Sequence, residues 1–333
     1  MRTAFIAALI AALPLAASAE PMQIRFASPS APTGLINVGV VIPWAEEVSK
    51  ASDGTLDIKV FPGPALANYG NVYDRTITGV VEAAFGIFGP VTSDFPRSSV
   101  VALPFETRTG EEAALAMWRL YEKGVIASEF SKIHLLAVNV FPNVSLHFRS
   151  KQVKTLADMN GLKLSGEGRV IGRSLTALGA APIVIPVTEL YNATQRATVD
   201  GSAIAWPAIL SYKLDETTKF HLDIPLANDS AMTFMNKDVY AKLPAKAKQA
   251  VDKASGEGLV RRYTTMVDKM TNDARELARK QPDQTIYTLD AAEQARWIER
   301  VKPSIDEWVK TTPDGEKVLA AYREEVKKIR AGM

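Results

Sequence analysis

Apolar and polar positions alternate over Met22-Gln-Ile-Arg-Phe-Ala27 and again over Leu56-Asp-Ile-Lys-Val-Phe61, which predicts two half-buried strands. Ala83-Ala-Phe85-Gly86-Ile-Phe88 is a continuous apolar run, as expected of a strand buried on both faces. The segment 133–140 is again strand-like. Between these stretches the period changes. Trp44, Val48 and Ala51 share one face of a helix over 40–51, stopped by Ser52-Asp53-Gly54; Ala114, Met117, Trp118 and Tyr121 do the same over 111–124. A helix with a mixed face is expected over 69–78. Strands that alternate with helices predict an α/β chain with largely parallel sheets.

The second half opens on a sharper signal. Leu162 to Ser165 alternates as a short strand, Gly166 and Gly168 allow a tight turn with positive φ, and a helix follows with Ile171, Leu175 and Leu178 on one face. Further on, 215–220 reads as helical, 232–235 and 283–288 as extended, and 290–301, 303–310 and 315–330 as helices. Val260, Tyr263, Val267, Met270, Ala274 and Leu277 recur at steps of three and four, the stripe of an amphipathic helix. Unbroken from Pro244 to Lys280, that helix would be on the order of 50 Å long, enough to run along two lobes. Gly256 and Gly258 leave the alternative of two helices meeting near Gly256.

Composition narrows the setting. Arg2, the apolar run to Ala16 and the small residues Ala17-Ser18-Ala19 form a secretory leader cleaved after Ala19, too short for a membrane span. The remainder is long enough for two lobes. Net charge is +2 with both signs interspersed, so no nucleic-acid partner is expected. With 0 cysteines there is no disulfide and no residue to carry a lipid anchor, and a periplasmic location is expected.

A catalytic apparatus is not visible. His134, His147 and His221 are not spaced to share a metal, no Gly-x-Ser-x-Gly occurs, and Gly166-x-Gly168 with Gly172 is out of step with a dinucleotide loop. No metal or cofactor is expected. What remains is the turn before the helix at Arg169. Free N–H groups and the positive end of the helix dipole favour an anion there, and Arg169 adds a forked donor suited to a carboxylate. An ordinary surface ion pair, for example with Glu167, is the competing account of Arg169.

Several blocks together resemble the extracytoplasmic solute-binding subunits of tripartite ATP-independent periplasmic (TRAP) transporters, the DctP family. These are Leu103-Pro-Phe105, Leu156-Ala-Asp-Met-Asn-Gly-Leu-Lys-Leu164, Leu178-Gly-Ala-Ala-Pro182, Pro186-Val-Thr-Glu-Leu-Tyr191, Val199-Asp200-Gly201, Phe220-His221 and Met235-Asn-Lys237. The resemblance covers essentially the whole mature chain. It implies an α/β two-lobe periplasmic binding protein fold with a long helix spanning both lobes. It implies no enzymatic activity, a small organic anion as ligand, and membrane-embedded TRAP transporter subunits as partners. The expected division is 20–142 plus about 228–255 for lobe I and 143–227 plus about 256–333 for lobe II.

The chain departs from the family pattern at the clamp. Ser165 stands where an arginine usually grips the ligand carboxylate, and Ser145 stands where some members carry a second one. The expectation is that Arg169, the Ser165 hydroxyl and nearby backbone N–H groups hold the carboxylate together, with Arg149 a weaker substitute. Tyr69, Phe88 and Trp206 are expected to line an aromatic subsite, and Asn143 and His147 to reach the cleft from a loop after 133–140. Loss of the usual arginine favours a monocarboxylate, aromatic or hydroxy acid over a dicarboxylate. Two other readings stay open at this point: an exported enzyme acting on an organic acid, and a ligand-sensing subunit of a receptor.

Overall fold

The computed structural model describes residues 20–166 and 168–333; the expected leader over 1–19 and Glu167 lie outside them. Strand β1 (Met22–Ser28) leads through a π-helical turn at Asn37–Val41 into α1 (Ile42–Ala51), β2 (Leu56–Pro62), α2 (Val72–Ile77), β3 (Ala83–Ile87), α3 (Gly110–Glu122) and β4 (Ile133–Val140). The chain then crosses to β5 (Val144–Phe148), β6 (Lys163–Gly166), α4 (Arg169–Ala177), β7 (Ala181–Ile183), α5 (Leu190–Gln195), β8 (Gly201–Ala205), α6 (Trp206–Ser211) and β9 (Phe220–Ala227). It returns with β10 (Ser230–Asn236), α7 (Lys237–Lys242) and α8 (Ala245–Ala254), and ends with α9 (Glu257–Lys280), β11 (Thr285–Tyr287), α10 (Ala291–Thr311) and α11 (Gly315–Arg330).

Two sheets result, in the orders β2-β1-β3-β10-β4 and β11-β9-β5-β8-β6-β7. Neither is wholly parallel: β10 runs against both its neighbours in the first, and β5 against both of its own in the second. Each is the strand laid down directly after a short link from the other lobe. It therefore enters its sheet from the gap where the parallel strands end and must run the opposite way.

Two sequence expectations are corrected here. Helix is confined to a turn at Leu214–Glu216, and Phe220 already opens a strand, because Leu222, Ile224 and Leu226 alternate into the core. The stretch from Pro244 to Lys280 is two helices, broken at Gly256, which takes φ +70° and donates its N–H to the Leu136 carbonyl at 2.7 Å. A side chain at that φ would be strained, so the glycine is what permits the break. The 24 residues of α9 still span about 36 Å. Leu259, Val260, Tyr263 and Val267 join the core of the first sheet; Ala274 and Ala278 join Trp206, Ile209 and Leu214 on the second. Leu277, expected on the stripe, is 44% exposed, and Ala278 takes the buried position.

Helix α10 also changes lobe. Trp297 and Val301 lie in the second core with Leu146, Phe148 and Leu164, while Trp308 lies in the first. Val318, Leu319, Tyr322 and Val326 of α11 bury a stripe at i, i+1, i+4 and i+8 in that first core, so this helix packs beside α3. Among the described glycines, backbone spacing is tightest at Gly201. A Cβ at Gly201, where β8 lies against β5, would sit 2.2 Å from the His147 carbonyl oxygen. Gly201→Ala is therefore expected to cost more than about 2 kcal/mol, because the strands must separate. An unchanged urea midpoint in the purified variant would contradict this packing.

Candidate functional site

The parallel strands of both sheets end at one gap between the lobes. From the first come Ser28, Ile87 and the start of β10 at Ser230; from the second come Gly166, Ala205 and the start of β5 at Val144. At this edge β6 turns into α4 through Gly168, which takes φ +80° as the residue before the helix. The first N–H groups of α4 have no partner within the helix. Arg169 is the first residue of that helix and is exposed. Among the described residues its side chain makes no hydrogen bond and no ion pair. It lines a cavity of about 40 Å³ together with Phe88, Thr92, Phe95, Asp229 and Ser230. Phe88 stacks on Phe95 with ring centroids 4.8 Å apart. The structure thus brings Arg169 and Phe88, from different lobes, to the same space.

Ser165 points elsewhere. A Cβ at Gly166 would meet Ile171 and Leu175 of α4, so its neighbour Ser165 faces the opposite side of the sheet. There the register places Ser165 beside Ser202, Ser202 beside His147 and His147 beside His221, a row across four strands. All four are buried; the Ser202 hydroxyl has no hydrogen-bond partner. His147 is thus in the middle of β5 and not on a loop, a correction that follows from the alternation of Val144, Leu146 and Phe148 into the core beneath α4.

The row is tied together by polar contacts. Nδ1 of His147 lies 2.8 Å from Nδ1 of His221, His147 Nε2 faces the Ile204 carbonyl at 3.2 Å, and His221 Nε2 meets the Gln284 side-chain amide. Next to it, Asp223 Oδ1 accepts from Trp206 Nε1 at 2.9 Å, from Arg275 Nη2 at 2.8 Å and from Ser145 Oγ at 3.2 Å. The Arg275 guanidinium lies 6.0 Å from the Trp206 ring, and the Trp206 and His147 rings meet at right angles with centroids 4.9 Å apart. Buried Trp206, Ser145 and His147 therefore form one network with the half-buried Asp223 and Arg275, two residues that the sequence alone does not single out.

Burial holds both histidines below their ordinary range, and for His147 the neighbouring His221 adds to the effect. An unfolded histidine titrates near about 6.5. Below that pH the unfolded chain takes up protons that the folded pair refuses, so this contribution is intact above about pH 6.5 and is lost as the pH falls. The urea midpoint is expected to drop between pH 7 and 5, and to drop less in His221→Gln. The same slope in that variant would remove the pair as the cause.

The remaining candidates lie apart. Arg149 is exposed, and its N–H donates to the Asp200 carbonyl, at the start of β8. That is about 17 Å along the strand from the end at Ala205. Asn143 belongs to the link between lobes: its Nδ2 donates to the Thr107 carbonyl, and Asn228 of the return link donates to its Oδ1 at 3.1 Å. Tyr69 stands on the first lobe, with its hydroxyl 2.7 Å from Ser30 Oγ. Burial pushes that hydroxyl up to about 12, Ser30 opposes the shift, and Tyr212 of the second lobe is close enough to add to it.

A family model described as bacterial extracellular solute-binding protein, family 7 (DctP), matches residues 28–311. The C4-dicarboxylate-binding periplasmic protein DctP of Rhodobacter capsulatus is 26% identical over 336 residues, 95% of this chain and 94% of that protein. A TRAP solute-binding protein from a marine metagenome, from an unidentified microbe and specific for aromatic acid ligands, superposes with a TM-score of 0.86. It is 26% identical, over 92% of this chain and 98% of that one, and holds metahydroxyphenylacetate. A TRAP solute-binding protein from Rhodoferax ferrireducens T118, in complex with copurified benzoate, gives a TM-score of 0.82 at 29% identity, over 92% and 98% of the two chains.

Proposed function

Because this chain belongs to the DctP family of bacterial extracellular solute-binding proteins and is a TRAP-type binding protein for small organic acids, not an enzyme, we infer that its ligand is a monocarboxylate clamped where the two lobes meet. The observation that carries this is Arg169. It is an exposed guanidinium at a helix N-terminus, without a carboxylate partner among the described residues, and it faces Phe88 across the gap. Its fork and the open N–H groups of α4 match the two oxygens of a carboxylate. Phe88, stacked on Phe95, supplies the aromatic wall. The relatives that hold benzoate or metahydroxyphenylacetate support an aromatic acid. We assign Ser165, Ser145, His147 and Trp206 to holding the second lobe in shape, Asn143 to the link, and Arg149 to neither.

A cavity of about 40 Å³ holds a few waters, whereas pockets for small organic ligands are about tenfold larger. The lobes must therefore separate for the acid to enter. A ligand that touches both sides then shifts the equilibrium towards the closed form. Drawn on the buried cores, the first lobe is 20–141, 230–267 and about 305–333, and the second is 144–227 with 274–301. The family works with membrane TRAP transporter components and is periplasmic. For this chain we take the closed form as the one those components receive, and removal of the leader after Ala19 as the step that frees it.

The test is a thermal-shift panel on protein unfolded and refolded to strip bound ligand, with benzoate, phenylacetate, mandelate, succinate and glucose. Saturation at a hundred times the dissociation constant adds about 2.7 kcal/mol of stability. A rise with the monocarboxylates and none with glucose is expected. No rise with any acid sinks the reading.

A further inference from the structure

The first-lobe side of the gap carries a group of polar atoms that the fold leaves unused. Continuing the pairing of Phe26 with Ala83 and Ala27 with Ala84 puts Ser28 beside Phe85, and Thr233 of β10 lies on the other flank of Phe85. Tyr263 of α9 stacks over Phe85 at 6.2 Å. Thr233 donates to Asn139 Oδ1 at 2.8 Å, which brings Asn139 into the same patch. Ser28, Asn139 and Tyr263 are fully buried, and Ser28 Oγ, Asn139 Nδ2 and the Tyr263 hydroxyl have no hydrogen-bond partner. Leaving one such atom unpaired is costly, and most buried polar atoms in native proteins are paired. Three around one phenylalanine, at the end of a sheet that opens on the ligand gap, call for a partner from outside the chain.

The chemistry of the three defines that partner. All are neutral, and each can donate a hydrogen bond. Burial, with Tyr69 and Asp229 nearby, pushes the Tyr263 hydroxyl well above its ordinary value, so it stays protonated. None of the three is a cation, so a second carboxylate finds no counter-charge among them. We propose that Ser28, Asn139 and Tyr263 form a subsite for an uncharged oxygen of the ligand, so that the protein selects hydroxylated monocarboxylates over both their unhydroxylated counterparts and dicarboxylates. This rests on the reading that Arg169 takes the carboxylate at the other side of the gap.

Matched pairs test it by calorimetry on the full mature chain: benzoate against 3-hydroxybenzoate, and phenylacetate against mandelate, with succinate as the dianion. At least one hydroxylated member is expected to bind about tenfold or more tightly than its partner, because a site built to bond a hydroxyl discriminates strongly against its absence. In Tyr263→Phe that preference falls to within about threefold, while affinity for the unhydroxylated acid is kept and the ligand-free melting temperature does not fall. Ser28→Ala is expected to act in the same direction. Equal affinities within both pairs in the unmodified protein overturn the inference and mean that the patch holds water alone. A preference that survives both substitutions overturns it too. If no acid of the panel binds, it is the carboxylate reading that fails.

Discussion

Replacing Arg169 with alanine is expected to weaken carboxylate binding about thirtyfold or more. Truncating one partner of a hydrogen-bonded charge pair inside a closed site costs about 2–5 kcal/mol, and each 1.4 kcal/mol is tenfold. The loss is not total, because the N–H groups at the start of α4 remain. Lysine at this position restores part of it, since it returns the charge without the fork. Stability is expected to hold within about 0.5 kcal/mol, because Arg169 is exposed and its side chain supports nothing in the fold. Arg149→Ala is the control: it removes a cation from the other end of the same sheet and leaves affinity within about twofold. Calorimetric titration with benzoate decides the matter. Retention of affinity within threefold in Arg169→Ala would place the clamp elsewhere.

Asp223→Ala is expected to cost about 3 kcal/mol of folding stability. Its carboxylate is the common acceptor for Arg275, Trp206 and Ser145. Removing it strands the Arg275 charge, whose Nε is already buried without a partner. Breaking a buried pair on one side costs about 3–5 kcal/mol. Side-chain exposures of 27% for Arg275 and 18% for Asp223 put this pair at the lower end. Asp223→Asn keeps an acceptor for the Trp206 N–H and is expected to lie between the two. The double variant Asp223→Ala with Arg275→Met removes both charges and is expected to recover much of the loss. Urea unfolding of the three proteins measures all of this. A cost below 0.5 kcal/mol in Asp223→Ala would show that the network is ornamental to the fold.

Much of the architecture was legible because simple periods carry it. β1 and β2 alternate, β3 is apolar throughout, and the stripe through Tyr263 and Val267 marks α9. The turn before α4 was legible for the same reason that it works: glycine where φ is positive, then an arginine at a helix start. Val144 to Phe148 and the strand from Phe220 were obscured by the residues on their second face. Ser145, His147 and His221 are polar yet buried, Asp223 is half-buried, and polar residues in a period-two stretch read as loop or surface. What makes them a core is a set of partners remote in the chain, such as Arg275 for Asp223, 52 residues away, and His221 for His147, 74 residues away. No local pattern announces such a pairing. Gly256 and Gly258 mark a break without deciding it, because the deciding bond runs to Leu136, which is distant in sequence.

The chain passes between the lobes at 141–143 and 228–229, then along α9, then along α10. Neither lobe is therefore a contiguous stretch of gene. A recombination event that imported one lobe from a relative would need several coordinated junctions, two of them inside helices whose cores on either side would have to match. New ligand preferences in this lineage are thus expected to arise by substitution in place, at positions such as Phe88 and Arg169, and not by exchange of a lobe as a cassette. A library that shuffles relatives at the two short strand links alone should yield mostly unfolded protein, whereas one that varies the edge of the gap should stay folded and diverge in what it binds.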